Sequence, residues 1–221
     1  MPDKIVLVEK KGHANLDSFP FRYGFSQSKD FQLLIIYSSK PIEQNIDNKK
    51  MKKYDVINLF DVLEHVHNPS ELLKKCHRLL KSGGIIVIEV PNDYNPLQKI
   101  VQKSLKKEEY WLTILTKSHN YHWASKIDHV NYFNFFSLKR LLTKLRFKVI
   151  YQQSTFPLEL FLLMGDDYLK SEKIGKKIHQ KRINLEMNLM IDENMRMKKE
   201  IYGKFAELGI GRTAIVFAQK T

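Results

Sequence analysis

Three ionisable side chains, Asp61, Glu64 and His65, follow directly on a short apolar run of Val56, Ile57, Leu59 and Phe60. A second run, Ile85–Val90, is followed by Asn92, Asp93 and Tyr94, and His129 and Tyr132 stand further along in the polar-aromatic stretch DHVNYFNF. Carboxylates in such places position a ligand through charge, and an imidazole can take a proton from a hydroxyl near neutral pH. Plainer readings stand beside these. Glu64-His65 also fits a solvated turn that orients the next helix, and His129 also fits a buried histidine tying a turn to a sheet. His119 and His122 are spaced like metal ligands, but no acid or cysteine accompanies them at ligand spacing, so no metal is expected.

The elements around these residues explain why they could meet a ligand. Tyr54–Phe60 is too short for a helix and reads as a buried strand. Asn68-Pro69-Ser70-Glu71 is a helix start, with Asn68 as cap and Pro69 in the first turn. Leu72, Leu73, Cys76, Leu79 and Leu80 share one helical face. Ser82-Gly83-Gly84 predicts the helix stop, since glycine accepts a left-handed cap. Ile85-Ile86-Val87-Ile88 is apolar on both faces, as a central parallel strand is. Strand, helix and strand in this order form a unit whose ligands sit at the carboxyl ends of the strands.

Further strands are expected at Ile5–Glu9, Phe31–Tyr37, Phe147–Tyr151 and Thr213–Ala218. A helix capped by Ser137 is expected over Leu138–Leu145. Pro91–Ile127 reads as a long rim connection carrying Tyr110, Trp111, Tyr121 and Trp123, and Ser171–Leu208 as basic helix. The alternation of strands and helices predicts an α/β fold.

Composition narrows the function classes. The chain has 221 residues, 43% of them hydrophobic, which is enough for a sizeable core in a single domain. One cysteine, Cys76, excludes a disulfide framework and points to a reducing, cytoplasmic setting. Neither a signal peptide nor a membrane-spanning run is evident. The net charge of +13 is diffuse and lysine-heavy, so a nucleic-acid partner is not expected, although a basic nucleic-acid or membrane-surface binder stays open as an alternative.

The segment NLFDVLEHVHNPSELLKKCHRLLKSGGIIVIEVPN resembles class I S-adenosylmethionine-dependent methyltransferases, and DHVNYFNFFSLKRLLTKLRFKVI resembles a later segment of the same family. The resemblance implies a Rossmann-like, mostly parallel sheet of seven strands with helices on both faces. Tyr54–Phe60 would be the fourth strand, Ile85–Val90 the fifth, and Phe147–Tyr151 and Thr213–Ala218 the last two. It implies methyl transfer to a small-molecule or saccharide acceptor. Phe60, Asp61 and Val62 would then lie near the cofactor, Glu64 and His65 near the transfer crevice, and Asn92, Tyr94, His129 and Tyr132 toward the acceptor. His65 or His129 would be the base.

The family's glycine-rich loop has one counterpart here, Glu9 with Gly12, which has a single glycine and two lysines, Lys10 and Lys11. Residues 1–53 thus read as an abbreviated or degenerate cofactor half, with the true start upstream as the other explanation. Residues 54–155 read as the substrate-proximal half, 156–208 as a helical insertion and 209–221 as the terminal strand. A non-catalytic methyltransferase-like protein that has lost the cofactor is the alternative function.

Overall fold

The computed structural model describes residues 6–11, 32–37, 53–105, 129–191 and 194–221, the first two segments as strand backbone only. The strands are β1 (Val6–Lys11), β2 (Gln32–Tyr37), β3 (Tyr54–Phe60), β4 (Leu80–Pro91), β5 (Phe147–Ser154) and β6 (Thr213–Lys220). The helices are α1 (Pro69–Leu79), α2 (Pro96–Ser104), α3 (Phe135–Lys144), α4 (Glu159–Leu163), α5 (Glu172–Asn188) and α6 (Asn194–Glu207). The strands form one sheet in the order β1-β2-β3-β4-β6-β5. β2, β3 and β4 run parallel, so the expected α/β, Rossmann-like sheet is present, with six strands among the described residues. The helical insertion before the last strand is present as α4, α5 and α6.

The first strand differs from expectation. β1 is antiparallel to β2, with Val6 opposite Tyr37 and Lys11 opposite Gln32. It is an edge strand whose carboxyl end lies beside the amino end of β2. β2 is the strand that stands next to β3, pairing Tyr37 with Phe60. Strand direction has no local sequence signature, because an apolar run such as IVLVE suits either orientation.

The Gly-Gly stop also moves. α1 ends at Leu79 with Leu80 already extended, and Gly83 and Gly84 lie inside β4. Gly83 has φ +71, and a side chain on Gly84 would press within 3.1 Å of the Asp55 and Lys81 carbonyls. The register jumps from Tyr54↔Leu80 to Val56↔Ile85, so the glycines let β4 carry a bulge while still pairing with β3. The start of α1 is as expected: Asn68 Oδ1 accepts from the Glu71 N–H at 3.0 Å.

The chain falls into two compact units. The first comprises Met1–Val90, Ser137–Tyr151 and Ile215–Thr221. Its core includes Ile57, Leu59, Leu73, Leu80, Ile86, Ile88 and Leu138, all fully enclosed. Cys76 belongs to this core, and burial pushes its thiol up to about 12, which makes it inert.

The second unit comprises Pro91–Phe136 and Gln152–Ala214. Here Val101 of α2 and Leu162 of α4 are buried together, with Tyr168 and Leu169 against them. Much of the basic charge of α5 and α6 is neutralised within the insertion. Lys181 pairs with Asp166 at 2.9 Å, Lys176 with Glu172 at 2.7 Å, and Glu186 with both Arg182 and Lys198 at 3.1 Å. Among the described residues, no helix is long and apolar enough to cross a membrane.

Candidate active site

In the first unit the site is built at the carboxyl ends of β3 and β4. Register places Phe60 opposite Glu89, and the Asp61 N–H donates to the Glu89 carbonyl at 3.1 Å, which locks the two strand ends together. Asp61 then turns the chain with φ +49, a left-handed conformation that aspartate adopts more readily than most residues. The turn closes with the His65 N–H donating to the Val62 carbonyl at 3.1 Å. Val62 and Glu64 are buried, His65 is half-buried, and Asp61 reaches solvent.

The electrostatics of this rim are unusual for two exposed-type residues. Desolvation pushes the Glu89 carboxyl up to about 7, and the neighbouring Asp61 charge adds to the effect. The Asp61 carboxyl is itself raised by desolvation, against a lowering pull from His65. Two carboxyls at adjoining strand ends that resist ionising together form a site able to take a proton or a positive charge.

Neither Glu89 nor Asn58 was singled out from sequence. Glu89 did carry a signal, as the one charged residue in the run IIVIEV. Asn58 is the one polar residue between Ile57 and Leu59, and its amide oxygen is buried with no hydrogen-bond partner. Strand alternation puts Asn58 and Phe60 on one face of β3, and register sets Val87 and Glu89 beside them. The buried oxygen of Asn58 therefore lies on the same face as Glu89, one step further from the rim.

In the second unit the acceptor-side candidates divide. Tyr94 and Tyr132 are brought together, with ring centroids 6.0 Å apart and edge to face, and both rings are about half exposed. Tyr94 is held in a left-handed turn at φ +54. Asn92 is fully buried. Its side-chain amide donates to the Gly209 and Gly211 carbonyls at 3.0 and 2.9 Å, and its backbone N–H to that of Arg212 at 2.9 Å. Asn95 caps α2 in a reciprocal box with Gln98, and both amides reach Glu159 Oε1, at 3.4 and 3.1 Å. His129 is half-buried in the same unit.

Glu9 is described only as strand backbone, opposite Leu34, and Gly12 lies outside the described residues. The antiparallel course of β1 takes Lys11 to the amino ends of the parallel strands, away from Asp61. Tyr110, Trp111, His119, Tyr121, His122 and Trp123 also lie outside the described residues.

Comparison with known proteins bears on this geometry. A ubiquinone biosynthesis O-methyltransferase of Acinetobacter baylyi is 30% identical over 89 residues, which is 40% of this chain and 36% of that protein. The enzyme of the same description from Glaesserella parasuis is 35% identical over 71 residues, 32% of this chain and 29% of that one. The chain thus spans about a third of the length of these curated relatives. Among solved structures, a SAM-dependent methyltransferase from Thermotoga maritima is similar over 80% of this chain and 61% of that one, with 14% identity and a TM-score of 0.40. Residues 12–152 match the family described as "Methyltransferase domain", a span that holds β2, β3, β4 and the candidate residues from Asn58 to His129. By that match the chain belongs to the methyltransferase-domain family.

Proposed function

We propose that this chain carries out S-adenosylmethionine-dependent methyl transfer to a hydroxyl group of a small-molecule acceptor. The observation that carries the reading is the family match over residues 12–152, within which Asp61, Glu64, His65 and Glu89 gather at adjoining strand ends. The relatives are described as O-methyltransferases, which supports an oxygen acceptor, and a saccharide hydroxyl is the other acceptor of that chemistry.

The rim residues suit the cofactor. S-adenosylmethionine supplies an electrophilic methyl group on a positively charged sulfonium. Asp61, Glu89 and the orphaned amide oxygen of Asn58 are all acceptors of positive charge or of protons, and the one cation on β3 and β4, Lys81, is paired with Asp55 at 2.8 Å. Phe60, Asp61 and Val62 would line the cofactor, with Glu64 supporting the turn. His65 or His129 would take the proton released by the acceptor hydroxyl, a role an imidazole fills near neutral pH. Tyr94 and Tyr132 would face the acceptor, and Asn92 would hold the backbone beneath them. Glu9 is left out of this set because β1 runs antiparallel to β2, and Gly12 because it lies outside the described residues.

A transfer assay tests the acceptor class. With methyl-labelled cofactor and a panel of phenols, catechols and sugars, the label is expected in methyl ethers. Label found only on amine or carbon acceptors would overturn it, and so would none at all from a chain that binds the cofactor.

A further inference from the structure

We propose that Asn58, Asp61 and Glu89 form a charge-selective receptor for the cofactor's sulfonium, so that the chain holds the positively charged methyl donor in preference to its neutral thioether product. The inference rests on the methyltransferase reading and adds to it two residues, Asn58 and Glu89, together with a direction of selectivity.

The geometry is set by the backbone. Asn58 and Phe60 share a face of β3, and Glu89 stands opposite Phe60 on β4. Asp61 is fixed to the Glu89 carbonyl by its own N–H. The three side chains present oxygen acceptors, and one of these, Asn58 Oδ1, is enclosed without a donor in a residue only 8% exposed. A buried acceptor left unpaired is unfavourable unless a ligand supplies the missing partner or charge. Desolvation, which holds the Glu89 carboxyl near neutral, also strengthens its attraction for a cation.

The charged neighbours leave this acidic character intact. On β3 the other acid, Asp55, sits at the far end and is paired with Lys81 at 2.8 Å. β2 has no charged residue in QLLIIY. β6 carries one, Lys220, and its ammonium donates to the His77 and Leu80 carbonyls, with Leu80 at the amino end of β4. In the turn after β3, Glu64 is buried and His65 faces Asp61 electrostatically. His65 is thus the group whose charge competes with a bound cation.

Methyl transfer leaves a neutral sulfur where the sulfonium stood, so the attraction is lost with the chemistry and product release is favoured. Protonation of Glu89 removes the attraction in the same way. The affinity ratio of S-adenosylmethionine to S-adenosylhomocysteine isolates this effect from contacts common to both ligands, and the Glu89→Gln variant, which leaves His65 in place, separates Glu89 from it.

The experiment is calorimetric titration of both ligands into the full chain at pH 5.5 and pH 7.0, repeated with Glu89→Gln and Asp61→Asn. The ratio is expected to favour the sulfonium and to rise about tenfold across that interval as Glu89 ionises. In Glu89→Gln it is expected to lose its pH dependence and fall at pH 7.0, and Asp61→Asn is expected to lower it too. A ratio independent of pH in the unmodified chain overturns the receptor while leaving cofactor binding in place. Absence of binding by both ligands overturns the methyltransferase reading itself.

Discussion

Replacing Gly211 by alanine is expected to destabilise the second unit by about 3 kcal/mol or more, enough to unfold a marginal domain. Two separate causes add. Gly211 has φ +108, a conformation that side-chain-bearing residues rarely adopt, and a methyl group there would overlap the Ser154 hydroxyl and stand 2.5 Å from the Thr155 carbonyl. Neither neighbour can yield freely. Ser154 Oγ lies 2.8 Å from the Ile210 carbonyl and 3.1 Å from that of Thr213, and the Gly211 carbonyl itself accepts from Asn92. Gly165→Ala is the control, since Gly165 has φ +94 but nothing within 4 Å, and it should cost only about 1–2 kcal/mol of backbone strain. Urea unfolding of the two variants measures the difference. Equal losses would show that the close approach at Gly211 is not part of the folded chain.

Glu89→Gln is expected to have the opposite effect, and only at higher pH. The Glu89 carboxyl ordinarily titrates at 4.5 but holds its proton to about 7 in the fold. Between those values the folded chain keeps a proton that the unfolded chain releases. The stability contributed by the protonated form is complete below pH 4.5, declines as pH rises through 7 and is absent above it. The glutamine variant has no such loss, so at pH 8 it should exceed the unmodified chain by about 2–3 kcal/mol, and near pH 4.5 the two should be alike. Melting temperatures at the two pH values decide it. Identical behaviour at pH 8 would mean that Glu89 is ordinarily solvated and does not couple to Asp61.

How much of this was legible in the sequence depended on whether the determining interaction was local. The start of α1 could be read because Asn68, Pro69 and Glu71 interact within one turn. The same grammar, Asn95-Pro96-Leu97-Gln98, marks the start of α2, and its capping box could have been read in the same way. The fate of Gly83 and Gly84 could not, since a glycine ends a helix or kinks a strand according to what lies beside it, here the Gln219 side chain at Gly83 and the Asp55 carbonyl of β3 at Gly84. The direction of β1 was likewise fixed by pairing and not by composition.

For the candidate site, the strand ends of β3 and β4 were legible as the positions just beyond two apolar runs, which brought Asp61, Glu64 and His65 forward. Glu89 and Asn58 were passed over because each lies inside a run. A single polar residue there is noticed only once register shows which face it shares. Glu159 is the same case in the second unit. It reads as a break in the apolar stretch LELFLLM, yet it is buried and accepts from the Asn95 and Gln98 amides, whose positions lie more than sixty residues away.

The central claim is that this chain binds the methyl-donor cofactor, and the neutral product S-adenosylhomocysteine is the most direct probe, because it is stable and needs no acceptor. Titrated calorimetrically into the full chain at pH 7, it should bind saturably at one site per chain, with a dissociation constant on the order of micromolar to tens of micromolar. No heat at millimolar ligand, from a chain shown to be folded by its melting transition, would contradict the account.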